Sequence, residues 1–259
     1  CALPIYPDAN ARLLKASIAR HYGVAPEQVF VGNGSDDVLA LAFQSFFNSD
    51  KPIAFPDITY SFYPVWCRLF HIPFVTYPLT ADFRMDPADY AAPNGGVVLP
   101  NPNAPTSIGE DLPFVQALLE GNRDAVVIID EAYADFGGVS AVPLLADYPN
   151  LLVCGTFSKS RSLAGLRLGF AIGSAELIRV LEAVKNSYNS YTVDNLSLLC
   201  GAAAMDDEAY FAKTTAAVIT TRERVRRALE QMGFSVLPSA PTSFLQRRTA
   251  RLCGNCSSI

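Results

Sequence analysis

The chain has 259 residues, half of them hydrophobic and 17% charged, with a formal net charge of −5. That length and apolar content exclude a disordered chain, and an acidic balance without any Lys/Arg block excludes broad nucleic-acid binding. Pro, Gly or charge interrupts every apolar run before it reaches membrane-spanning length, and Cys1-Ala2-Leu3-Pro4 opens no basic-then-apolar leader, so neither a span nor an export signal is predicted.

A reduced cytoplasmic compartment is therefore expected. Cys1, Cys67, Cys154 and Cys200 lie among apolar residues, as inert buried thiols do. Cys253 and Cys256 form a lone C-x-x-C, and His21 and His71 are far away in sequence, so no metal site is predicted.

Apolar periodicity then predicts alternating elements along the chain. Residues 15–22 end an amphipathic helix and 29–31 form a short strand. A helix over 36–47, a strand over 52–55, a helix over 62–70 and a strand over 73–77 follow. The pattern continues with a strand at 97–99, a helix at 113–119, and strands at 125–129, 151–154 and 169–173, then a helix at 175–184. Continuous apolar strands separated by helices indicate a mainly parallel sheet covered on both faces, a class that binds ligands at the carboxyl ends of its strands.

Polar clusters fall at those ends. In Gly32-Asn33-Gly34-Ser35-Asp36-Asp37 the glycines allow a sharp turn, Ser35 is a candidate N-cap, and the helix start offers free N–H groups to an anion; a capped turn without a ligand fits equally well. Tyr60 follows the second strand, where its ring can lie against a flat heteroaromatic or simply pack. In Pro100-Asn101-Pro102-Asn103-Ala104-Pro105-Thr106, prolines stiffen a turn that can hold out two asparagine amides. Asp130 ends an apolar strand, a costly place for an unpaired carboxylate; a protonated ring nitrogen would answer it, and so would a role as helix N-cap. Glu131 reads as a solvated turn charge. Finally, Thr156-Phe157-Ser158-Lys159 through Arg167 sets one lysine among hydroxyls, eight residues before an arginine. Partial desolvation there would make Lys159 an amine nucleophile toward an aldehyde, with Ser158 and Arg167 able to clamp a phosphate; a surface loop is the alternative.

Taken together, these clusters resemble the pyridoxal-phosphate-dependent aminotransferases of fold type I, and within them the histidinol-phosphate aminotransferase family. The likeness rests on Tyr6-Pro7, the run 22–29, Gly32-Asn33-Gly34-Ser35-Asp36, Tyr60, Asp130-Glu131-Ala132-Tyr133 and Thr156–Arg167, and extends from about Ala2 to Phe244. It implies a three-layer α/β/α large domain over 1–205 and, over 206–259, the start of an incomplete small C-terminal domain. It implies Lys159 as the Schiff-base lysine and proton shuttle, Asp130 as partner of the pyridine nitrogen, Tyr133 as donor to the ring oxygen and Tyr60 as the stacking ring. Gly34, Ser35, Asp36, Thr156, Ser158 and Arg167 would cradle the cofactor, and Tyr6 would reach the phosphate of a neighbouring subunit in a homodimer. The implied reaction moves an amino group between histidinol phosphate and the 2-oxoglutarate/glutamate pair. A threonine-phosphate decarboxylase would use the same lysine and cradle, and a chain short of parts of the family fold could bind the cofactor without turnover.

Three positions depart from the family pattern. Ala104 stands where the family has the Asn before Pro-Thr-Gly, with Asn103 adjacent as its expected substitute; Ser107 replaces the Gly, and Arg161 an aromatic. The family's opening substrate-contacting segment has no counterpart before Tyr6. After Leu245, residues 246–259 lose hydrophobic periodicity and resemble a truncation or a shifted reading frame. Apolar surface between Val184 and Phe234 is therefore expected to be exposed.

Overall fold

Seven short strands rich in Val, Ile, Leu and Phe form one sheet: β1 (Val29–Gly32), β2 (Ile53–Pro56), β3 (Phe74–Tyr77), β4 (Gly96–Pro100), β5 (Val127–Asp130), β6 (Leu151–Thr156) and β7 (Gly169–Gly173). The computed structural model describes residues 5–91 and 93–237, and the backbone of 246–248. The expectations for Cys1, Cys253, Cys256 and the rest of the tail lie outside the described residues.

The strand order is β1-β7-β6-β5-β4-β2-β3. Every neighbouring pair is parallel except those of β7, which runs antiparallel to both β1 and β6. The sheet is thus mainly parallel, as predicted, with one reversed strand. All strands but β3 are buried along their whole length, and alternate residues feed two cores. Val29, Val31, Val97, Leu99, Ile129 and Val153 face one core, into which α1 (Arg12–Tyr22) sends Leu14 and Ile18 and α4 (Leu112–Glu120) sends Leu118. Phe30, Ile53, Phe55, Val98, Ile128 and Leu152 face the other, closed by α2 (Ser35–Phe46), α3 (Tyr63–Leu69) and α5 (Ala175–Tyr188). These are the three expected layers.

Two helices escape the periodic reading. In α6 (Asn195–Asp206) apolar residues lie all round the helix, and Leu198, Ala202 and Met205 complete the first core. The 24-residue α7 (Glu208–Gln231) buries only Thr215 and Arg222, so it carries almost no apolar stripe for a sequence reading to find. Beyond it, β8 (Phe234–Val236) pairs antiparallel with β9 (Gln246–Arg248), so part of the stretch read as patternless is a strand. Its short, charged run offers no alternation to detect.

The expected exposed apolar surface is present. Tyr188, Tyr191, Leu196, Leu199, Tyr210 and Met232 are all exposed, Leu196 by 65% and Leu199 by 58% on the outer side of α6. Changing both leucines to Ser should lower self-association in light scattering while shifting Tm by only about 1–2 °C, because exposed substitutions remote from the core cost little. Unchanged scattering would show that this patch does not drive association.

Candidate active site

Parallel strands in register end together, so β4, β5 and β6 deliver their carboxyl ends to one place: Pro100 lies opposite Asp130, and Asp130 opposite Cys154. The loops that leave these ends surround a cleft, at the place where open α/β sheets bind their ligands. Of the residues singled out from sequence, Ser35, Asp36, Tyr60, Asp130, Tyr133, Thr156, Ser158, Lys159 and Arg167 all line it. Residues more than a hundred positions apart are thereby brought to one wall.

Next to the lining residues Ser35 and Arg167, the β1–α2 turn and β7 meet main chain to main chain. Gly34 adopts φ 89° and serves as the N-cap of α2, a conformation that side chains disfavour. A Cβ at Gly34 would lie 2.5 Å from the Arg167 guanidinium. A Cβ at Gly169 would lie 2.3 Å from Gly34 C and Ser35 N, so β7 can pass beside the β1–α2 turn only as glycine. The first residues of α2, Ser35 and Asp36, whose N–H groups have no partners inside the helix, line the cleft. Ser35 is the first helical residue and makes no side-chain cap; Asp37 Oδ2 instead accepts from Asn33 N at 2.8 Å and closes the turn. Arg167 sits at φ 51°, with its guanidinium 3.6 Å from Asp36 Oδ2. Thr156 Oγ1 accepts from Ser158 N at 3.1 Å and donates to Leu168 O at 3.4 Å, tying the two sides of the lysine loop.

The walls carry the titratable groups. Asp130 is buried; Oδ2 accepts from Tyr63 Oη at 2.9 Å and Oδ1 from Ala132 N at 3.2 Å. Burial pushes its carboxyl up to about 6, despite these donors. Tyr60 Oη donates to Asp36 Oδ1 at 2.8 Å, and burial with that carboxylate raises the phenol well above its ordinary value. The Tyr60 ring stacks on Phe62, with centroids 5.6 Å apart and planes at 21°. Lys159 Nζ lies 5.2 Å from the centre of the Tyr133 ring, in cation–π range. Lys159 is exposed as a residue, with its Nζ beside the Tyr133 ring.

Other expectations are met differently or not at all. Asn103 does not line the cleft; it is buried, and its Nδ2 donates to Ile58 O at 3.0 Å, while Ala104 takes the lining position. Asn101 is likewise turned inward, exchanging hydrogen bonds with Glu110 N and O. Tyr6 is 63% exposed and stacks on Tyr191 at 4.9 Å, away from the cleft of its own chain. Glu131 is not a solvated turn charge: it is buried, Oε1 accepts from Ala141 N at 2.6 Å, and burial pushes its carboxyl up to about 8. Sequence reading passed over Tyr63 and Gly169. An apolar helical run hides the first, but the Arg-Leu-Gly sequence following the lysine loop was a usable signal for the second.

The chain is similar to proteins already known. The family model for aminotransferases of class I and II matches residues 2–252. Histidinol-phosphate aminotransferase 2 of Dechloromonas aromatica is 53% identical over 250 residues, which make up 96% of this chain and 70% of that protein. Histidinol-phosphate aminotransferase 1 of Methylococcus capsulatus is 56% identical over 239 residues, covering 92% of this chain and 67% of that one. Among solved structures, histidinol-phosphate aminotransferase from Sinorhizobium meliloti in complex with pyridoxal-5'-phosphate superposes with a TM-score of 0.80 at 25% identity, over 91% of this chain and 66% of that one.

Two outcomes test the site's construction. Gly169→Ala should destabilise the chain by about 1–3 kcal/mol, read as a lowered Tm, because the added methyl meets backbone rather than a yielding side chain; an unchanged Tm would show that the turn can move aside. The folded-state value of Glu131 lies above its ordinary 4.5, so the folded chain holds the proton more tightly than the unfolded one and stability falls as pH rises toward about 8. The Asp130 contribution is complete near 6, so the decline in Tm from pH 6.5 to 8 should flatten in Glu131→Gln. Equal slopes in the two proteins would contradict the protonated, buried glutamate.

Proposed function

Because the chain belongs to the class I and II aminotransferase family, we propose that it is a pyridoxal-phosphate-dependent aminotransferase acting on histidinol phosphate, with 2-oxoglutarate and glutamate as the exchanging pair. The observation that carries this is one of identity: relatives 51–56% identical over more than nine-tenths of the chain bear that name. The reaction belongs to histidine biosynthesis.

The residues present fit the cofactor. Two glycines leave a main-chain cradle that a Cβ would fill, beside a helix start and a forked cation, which suits a phosphate. When bound, the cofactor supplies an aldehyde carbon that accepts an amino group and a ring that withdraws electrons. Gly34, Ser35 and Asp36 would hold the phosphate through their main chain, with Thr156, Ser158 and Arg167 closing round it. The Asp36 carboxylate, itself anionic, would serve by fixing Tyr60 and Arg167. Asp130 would keep a proton on the ring nitrogen; its raised value drops back once a cation faces it. Tyr60 would lie against the ring, and Tyr133 would donate to the ring oxygen. Lys159 Nζ would take the proton from the substrate α-carbon and deliver it nearby. Ala104 can make no side-chain hydrogen bond, so Tyr133 would be the remaining side-chain donor to the ring oxygen.

The same reading makes the protein a cytoplasmic homodimer, with neither nucleic-acid nor membrane partners. Tyr6 would reach the partner's cradle, consistent with its exposure away from its own. Among the described residues no helix is long and apolar enough to cross a membrane. Residues 206–259 would begin a smaller C-terminal domain, entered through α7.

Addition of pyridoxal 5'-phosphate should produce a visible absorption band that Lys159→Ala abolishes, and glutamate or histidinol phosphate should then bleach it. A band that survives in Lys159→Ala would overturn the lysine assignment. A lysine-dependent band that neither amine bleaches would make the chain a binder without turnover.

A further inference from the structure

Lys159 and Tyr133 stand on two turns that leave neighbouring strands, and each turn is anchored separately at its back. The Tyr133 turn is held by Glu131, whose carboxyl spans to Ala141 N, and by Arg222 of α7, whose Nη1 donates to Phe136 O at 2.7 Å. The lysine turn is held by Arg161, whose Nη1 donates to Ala204 O at 2.9 Å at the carboxyl end of α6 and whose guanidinium lies 3.7 Å from the centre of the Phe211 ring. The Arg161 side chain is buried, and its Nη2 lies 3.4 Å from His21 Nε2.

Asp135 lies where the two turns meet. It is two residues beyond Tyr133 and does not line the cleft. Its Oδ2 accepts from Ser160 Oγ, the hydroxyl next to Lys159. Its charge also acts on Arg161, opposing the effect of burial on the guanidinium, and on Tyr22 and Glu131. The Asp135 carboxylate is thus bonded to a hydroxyl of the other turn and acts electrostatically on that turn's buried cation, and neither group belongs to the cofactor cradle proposed above.

We propose that Asp135 is a positioning residue that joins the lysine turn to the Tyr133 turn, through the Ser160 hydroxyl and the Arg161 charge, and so sets the spacing between Lys159 Nζ and the Tyr133 ring. Through Arg161 the same carboxylate couples that spacing to the α6–α7 junction. This rests on the reading of Lys159 as the cofactor's lysine.

The test uses the chain saturated with pyridoxal phosphate and follows the Lys159-dependent visible band across pH, with Tm in parallel. Asp36, Tyr60, Asp130, Tyr133 and Arg167, the charged and titratable groups round Lys159, remain in every variant. Ser160→Ala and Asp135→Asn should each move the midpoint of the band by about half a pH unit or more, since the lysine's surroundings set that midpoint. Their combination should move it no further than the larger single change, as for two ends of one contact. Ser160→Thr, which keeps the hydroxyl, should restore the wild-type midpoint even if Tm falls. Midpoints that stay fixed while Tm drops would overturn the proposal and leave Asp135 a purely structural anchor. Additive shifts would also overturn it. If Asp135→Asn does not fold, the Ser160→Ala and Ser160→Thr pair alone decides. A band that survives in Lys159→Ala would instead overturn the reading of the lysine, and the proposal with it.

Discussion

Asp130 is the last residue of a strand at the centre of the sheet, buried on both sides by β4 and β6. A carboxylate in that position is expensive, and the surrounding structure is arranged to answer it. Tyr63 reaches it from α3, in a bond to a charged acceptor of a kind worth about 1.5–3 kcal/mol. Because the strands are parallel and in register, the cleft side of this carboxylate meets the loops leaving β4 and β6. The lysine, the Tyr133 turn and Ala104 are therefore gathered round the same carboxylate. Moving β5 by one residue would turn the acid into the opposite core and dissolve the site.

The reversed strand β7 supplies the second half of the arrangement. A parallel strand there would have to begin at the opposite end of β6, and its preceding connection would cross away from the cleft. Running antiparallel between β1 and β6, it returns the chain so that Arg167 reaches the turn that begins α2. Lys159 and Arg167 thus reach one cleft from the two ends of the same short segment, between Thr156 and Gly169.

Much of this was legible in the sequence. Long apolar runs such as Val126-Val127-Ile128-Ile129 announce buried strands, and polar residues at their ends announce a site, because a buried sheet leaves function nowhere else to collect. What remained hidden has physical reasons. The α7 helix rests on Arg222 and Thr215 rather than on an apolar stripe, so periodicity is silent about it. Glu131 looks like a turn charge until the loop folds back and Ala141 N covers it. Asn103 and Ala104 differ by one position, and only the path of the turn decides which faces the cleft.

The contact of Gly169 with Gly34 and Ser35 has a consequence for how such a site can change over generations. Backbone against backbone leaves no room for trial: any side chain added there displaces the anchor itself. The rim is freer at a position such as Ala104, a half-buried methyl on a loop that lines the cleft. Novelty can therefore accumulate in the rim while the base stays frozen, and an engineer seeking a new amino substrate should vary the rim and leave the glycines alone.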